Sequence, residues 1–114
     1  MLRILVALAL LWPATAHAQS QPYVYTPIAG SFQQISSPAT ATGLTLPAAG
    51  SPAKIVEICV ETAAVRYRDD GTAPTSTIGI PVVAGTCFQY SGNLAAIQFI
   101  QQSSGAVVDV AYYR

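Results

Sequence analysis

The chain has 114 residues, of which 52% are hydrophobic and 9% charged, with five Lys and Arg against five Asp and Glu. That length holds one domain, and low charge with high apolar content excludes a disordered polyelectrolyte. A formal charge of zero excludes an electrostatic grip on nucleic acid or on an acidic membrane.

The first segment reads as a secretory signal over residues 1–18. Arg3 supplies the positive start, Ile4 to Leu11 the apolar stretch, and Ala16-His17-Ala18 the small-residue cleavage site before Gln19. The apolar run is too short to span a bilayer, and Pro13 ends its helix. No stable membrane anchor is expected after cleavage. The same cut removes Arg3, Trp12 and His17, which leaves Lys54, Arg66, Arg68 and Arg114 against Glu57, Glu61, Asp69, Asp70 and Asp109, and no histidine at all. A Ser-His-Asp or Cys-His catalytic set, or a histidine metal site, then has no base or ligand to use. The expectation is a protein that is not an enzyme, with no catalytic residues, no cofactor and no metal.

Residues 19–30 read as an extended lead-in and residues 31–114 as the folded domain. Pro22, Pro27, Pro38, Pro47 and Pro52 forbid long helices and central strands in the first half, while Tyr23 to Tyr25, Phe32 to Ile35 and Leu44 to Leu46 favour brief extended pairing. From Lys54 onward the period is two. Val56, Ile58 and Val60 share one face with Val65 and Tyr67, and a turn at Thr62-Ala63 would place Val60 opposite Val65, Ile58 opposite Tyr67 and Glu57 opposite Arg68. A second hairpin is expected with Gly85 in the left-handed position of a three-residue loop, setting Ile80 opposite Phe88, with Pro81 restricting its strand to an edge or a bulge. A third, through Gln102 to Gly105, would match Phe99 with Val108 and Ile97 with Val110. Short strands with regular turns and no helical period predict an all-β module, a small antiparallel β-sandwich or jelly roll.

Cys59 and Cys87 are the two thiols. In an exported chain an even pair is most simply a disulfide, and Cys-x-x-Cys redox spacing is absent. The densest polar cluster is Arg66-Tyr67-Arg68-Asp69-Asp70-Gly71-Thr72-Ala73-Pro74-Thr75. Arg66 and Arg68 flanking Tyr67 could grip a carboxylate or a sugar, and Asp69 with Asp70 could meet a cation, but Asp-Gly is also a favoured turn dipeptide. Tyr112 has core parity. Tyr113 has outward parity and could stack on a ligand.

That run, with Val56-Glu57-Ile58-Cys59-Val60-Glu61 before it and Gly92-Asn93-Leu94-Ala95-Ala96-Ile97-Gln98-Phe99-Ile100 and Val108-Asp109-Val110-Ala111-Tyr112-Tyr113 after it, resembles small, mostly uncharacterised proteins encoded by tailed bacteriophages and prophages near virion genes. The resemblance covers most of residues 31–114 and implies a β-sandwich associated with phage particles; it carries over no catalytic residue. Tailed virions assemble in the cytoplasm, whereas an export signal and a disulfide fit a periplasmic or secreted product, which leaves an exapted prophage gene. Two roles follow as expectations. One is a structural or decoration-type module that meets a protein partner or itself. The other is a secreted carbohydrate- or surface-binding module or inhibitor.

Cleavage after Ala18 predicts a mature N-terminus at Gln19, to be read by mass spectrometry of exported protein. An intact Met1 would contradict it.

Overall fold

β-Branched and aromatic residues alternating with polar ones build eight strands in the computed structural model, which describes residues 24–48 and 52–114. They are β1 (Gln33–Ser36), β2 (Thr42–Gly43), β3 (Ile55–Glu61), β4 (Val65–Arg68), β5 (Ile80–Val82), β6 (Cys87–Tyr90), β7 (Gln98–Gln101) and β8 (Val107–Tyr113). Sheet A has the order β1-β8-β3-β6 and sheet B the order β2-β7-β4-β5, with antiparallel pairing throughout. This two-sheet wrapping is that of an eight-stranded jelly roll. The signal segment and its cleavage site lie outside the described residues.

The predicted inward faces are the observed ones. Val56, Ile58, Val60, Val65, Ile97, Phe99, Val108 and Val110 are buried together with Tyr112. The predicted pairing is not observed. β3 and β4 lie in different sheets, as do β5 and β6, and β7 and β8. All three expected hairpins are therefore corners that carry the chain from one sheet to the other. Glu57 faces Gln89 and Ala111 instead of Arg68, Ile58 faces Phe88 and Val110 instead of Tyr67, and Tyr67 rather than Val108 lies beside Phe99. The reason is geometric: two strands that each bury the same face satisfy that pattern equally as neighbours in one sheet or as opposite walls of a sandwich.

Local backbone shows how the first corner is made. Thr62 has φ of 70° and Ala63 N–H donates to Glu61 O at 2.8 Å, a three-residue turn that bends the chain out of sheet A. At the second corner Gly85 has φ of 87°, the left-handed conformation expected of it, and its N–H donates to Val60 O at 2.7 Å. Pro81 lies on β5, an edge strand, as its missing N–H requires. The described part of the lead-in is extended and runs along the end of β8, with Thr26 and Arg114 exchanging backbone hydrogen bonds and Pro27 opposite Tyr113.

Cys59 and Cys87 are bonded and directly opposite one another in the β3–β6 register, on the outer face of sheet A. Their separation of 28 residues encloses β4 and β5. Closing a loop of that size stabilises by about 3 to 4 kcal/mol in the chain-entropy model. The Cys59→Ala/Cys87→Ala double variant is expected to lose about that much in urea unfolding, and a loss below about 1 kcal/mol would show that β6 holds without the bridge.

Candidate functional site

The two lateral edges of the sandwich differ in chemistry. At the β1–β2 edge Gln33 points between the sheets: its side-chain oxygen accepts from Tyr112 Oη at 2.6 Å and from Thr45 N–H at 2.9 Å, and its Nε2 donates to Thr45 Oγ1 at 3.3 Å. Burial first of all pushes the Tyr112 phenol up to about 12. This clamp joins β1 and β8 to the segment after β2 and seals that edge with polar groups.

The β5–β6 edge is open. Tyr67 stacks on Phe88 with centroids 5.8 Å apart and meets Phe99 at 5.9 Å. Two adjoining clefts of about 310 and 390 Å³ share Tyr67 and Ile80, a size within the range of small-ligand and anchor-residue sites. Their apolar lips are Ile78, Ile80 and Val83, which are 57%, 53% and 66% exposed. Ile80 has inward parity, since it pairs with Tyr67 across β4–β5, yet it remains exposed because no strand lies beyond the edge.

The polar rim of this opening comes from the cluster singled out in the sequence. Arg68 donates to Asp70 from Nε at 3.0 Å and from Nη2 at 2.5 Å, and Asp70 in turn accepts from Thr72 N–H at 3.2 Å. The guanidinium hydrogen bond holds the Asp70 carboxyl below the usual carboxylate range. Asp69 accepts from Tyr90 Oη at 2.8 Å, which ties the exit of β4 in sheet B to β6 in sheet A. Burial, and then this hydrogen bond, push the Tyr90 phenol up to about 12.

Arg66 shares the outer face of β4 with Arg68 but does not join the rim, because the 69–79 connection takes up its guanidinium. Its Nε donates to Ser76 O at 3.2 Å and its Nη1 to Gly79 O at 2.8 Å. With the Gln102 amide turned oxygen-inward, Arg66 Nε also donates to it at 2.7 Å. Gly79, with φ of 139°, lets the 69–79 connection lie this close: a Cβ there would stand 3.0 Å from Tyr67 O and 3.2 Å from Arg66 Cβ. Tyr113 is remote from all of these, on the outer face of sheet A beside Ile55.

Of the five candidates, the fold thus gathers Arg68, Asp69 and Asp70 at one opening, and separates Arg66 and Tyr113 from it. Tyr67, Ile80, Phe88 and Tyr90 form the rest of the opening, and sequence reasoning assigned the first three to the core by parity alone. Pro81 was the available signal, because a strand confined to an edge leaves its neighbours uncovered.

A second cluster of acids stands on the outer face of sheet A. Asp109 accepts from Gln34 Nε2 at 2.8 Å, and a hydrogen bond shared with Asp109, together with repulsion between the two carboxylates, pushes Glu61 above the usual carboxylate range. Among the described residues no group of three or more His, Cys, Asp or Glu side chains is placed to hold a metal ion. No helix there is long and apolar enough to cross a membrane.

The chain matches no protein-family model, no curated protein and no solved structure.

The raised phenols fix a direction of pH dependence. Tyr90 and Tyr112 hold their protons more tightly when folded, so their contribution to stability is complete below pH about 10 and is lost as pH rises through about 12. Unfolding free energy measured from pH 9 to 12 should fall over that window, and fall less in Tyr90→Phe. An absorbance titration with every tyrosine ionising near its unperturbed value of about 10 would contradict the assignment.

Proposed function

We propose that this chain is an exported, non-catalytic β-sandwich module of phage or prophage origin that works by docking, and that its β5–β6 edge packs against the same edge of a second copy. The observation that carries this reading is the trio Ile78, Ile80 and Val83, exposed around the Tyr67–Phe88 stack at the one lateral edge that polar groups do not seal. Exposed apolar side chains grouped at a concave opening are the usual mark of a protein interface.

Three further features support it. Pro81 offers no N–H at the middle of β5, so contact there is made by side chains rather than by extending sheet B. Near-zero formal charge imposes little repulsion between copies, and a two-fold arrangement lets one patch serve both partners. Arg68 with Asp70, and Asp69 with Tyr90, hold one another and brace the rim, which favours a shaped surface over a reacting one. The resemblance to phage-encoded proteins and a disulfide suited to an oxidising compartment support the origin and the export.

Sedimentation velocity of the oxidised mature chain should show a discrete dimer or closed oligomer. Ile80→Asp and Val83→Asp should shift it to monomer with melting temperature little changed, since both positions are exposed. A monomer at every concentration overturns the docking reading. The origin is tested separately by the neighbouring genes, where capsid and tail genes are expected.

A further inference from the structure

On the outer face of sheet A, facing away from the inward-pointing Phe88 of the open edge, a small pocket of about 130 Å³ is lined by Tyr25, Ile55, Val56, Glu57, Gln89 and Tyr113. Parity explains its construction. Val56 and Ile58 point inward, so Ile55 and Glu57 point outward. Ile55 is nevertheless only 7% exposed, although it is not part of the core cluster. Its cover is aromatic: Tyr113 is its direct partner in the β3–β8 register, and the lead-in, pinned by the Thr26–Arg114 hydrogen bonds, brings Tyr25 to the same pocket.

Glu57 and Gln89 are directly opposite in the β3–β6 register and complete the lining. Cross-strand partners on one face stand about 5 Å apart at Cβ. Glu57 differs from the other acidic side chains among the described residues in being uncommitted. Asp109 holds Glu61 above the usual carboxylate range and itself accepts from Gln34, while Asp69 accepts from Tyr90 and Asp70 from Arg68. Neither Glu57 nor Gln89 has a side-chain hydrogen bond or ion pair among the described residues. A half-buried carboxylate and a carboxamide thus sit side by side at the end of an aromatic and aliphatic slot, with their bonding capacity unused.

We infer that this pocket binds a single neutral sugar ring. The carboxylate of Glu57 accepts from two adjacent hydroxyls, and Gln89 donates to one hydroxyl and accepts from another. The C–H face of the ring lies against Tyr113, which is the arrangement aromatic side chains with polar neighbours favour. The enclosed space equals that of about four waters, less than a whole pyranose, so it holds one face of a terminal residue, the rest standing out in solvent, and not the interior of a long chain. Glu57 selects against uronic and sialic acids by like-charge repulsion. Gln89 shares β6 with the docking edge but lies on the other face of sheet A from Phe88, so the two surfaces do not overlap.

The probes are the methyl glycosides of glucose, galactose, mannose and N-acetylglucosamine, with glucuronic acid as the anionic comparison, each titrated into the ¹⁵N-labelled oxidised mature protein and followed by amide chemical shifts. At least one neutral glycoside should give saturable shifts at residues 55–57, 89 and 113, with Kd of order 1 mM. Tyr113→Ala and Glu57→Ala should each weaken it about ten-fold or more, and Ile80→Asp, on the docking edge, should leave it unchanged. Because Tyr113 also covers Ile55, Gln89→Ala, at an exposed position, provides a variant that leaves the fold intact. Saturable binding that Gln89→Ala and Glu57→Ala leave untouched, tighter binding of glucuronic acid than of its neutral counterpart, shifts confined to another surface, or no shifts with any probe would each overturn the assignment.

Discussion

The antiparallel pairing of β3 with β8 brings the middle of the chain against its end, partner by partner from Ile55↔Tyr113 to Glu61↔Val107. β1 attaches to one side of that pair and β6 to the other, so sheet A has no other centre. Its inward residues, Val56, Ile58, Val60, Val108, Val110 and Tyr112, make one wall of the core, and Val65, Ile97 and Phe99 of sheet B close on it. Close packing at such an interface leaves little tolerance for a register slip, because a shift by one residue would turn Glu57, Cys59, Asp109 and Tyr113 inward. The outward row is thereby fixed as firmly as the inward one. That is what places a carboxylate, a disulfide and an aromatic ring in order on the outer face.

The sandwich closes its two lateral edges by different physics. Gln33 satisfies a buried phenol and a backbone amide at one side, a polar solution that excludes further contact because its hydrogen-bonding capacity is used internally. At the other side the aromatic stack of Tyr67 and Phe88 is left with one flank uncovered, and the rim polar groups spend their hydrogen bonds on each other. The free energy still to be gained there is hydrophobic, and only an apolar surface from outside can supply it.

How far the fold was legible depended on which physical quantity each residue reports. Alternation reports the side of a strand a residue occupies, and it placed Ile58, Val60, Val65, Phe99, Val108 and Tyr112 correctly. It carries no information on whether two inward faces are neighbours or opposite walls, so Glu57 was matched with Arg68 although they belong to different sheets. The misassigned ion pair had a second effect: it hid Glu57 as an uncommitted carboxylate. Residues with special backbone demands were more informative. Pro81 marked an edge and Gly85 a left-handed turn, both as found, although that turn is a corner between sheets and not a hairpin, whereas Thr62 gave no warning of its positive φ because a β-branched residue seldom adopts it. In the polar cluster, Asp70 behaves as the turn residue its Asp-Gly context suggests. Arg66 serves the 69–79 connection, a partner that could be recognised only once that connection had folded over β4.

The position of β8 also has a temporal consequence. Apart from β4 and β5, strands that are neighbours in a sheet are not consecutive in the chain, and such long-range pairings are slow to form because the intervening chain must be closed first. As the polypeptide emerges from its N-terminus, β3 has no central partner until residues 107–113 have appeared. The Cys59–Cys87 bond can close earlier, fixing the β3–β6 register around the β4–β5 excursion and presenting a prepared edge to β8. The chain thus stays without its core until nearly all of it has been delivered, and through that interval the disulfide is the covalent tie that keeps β6 on β3.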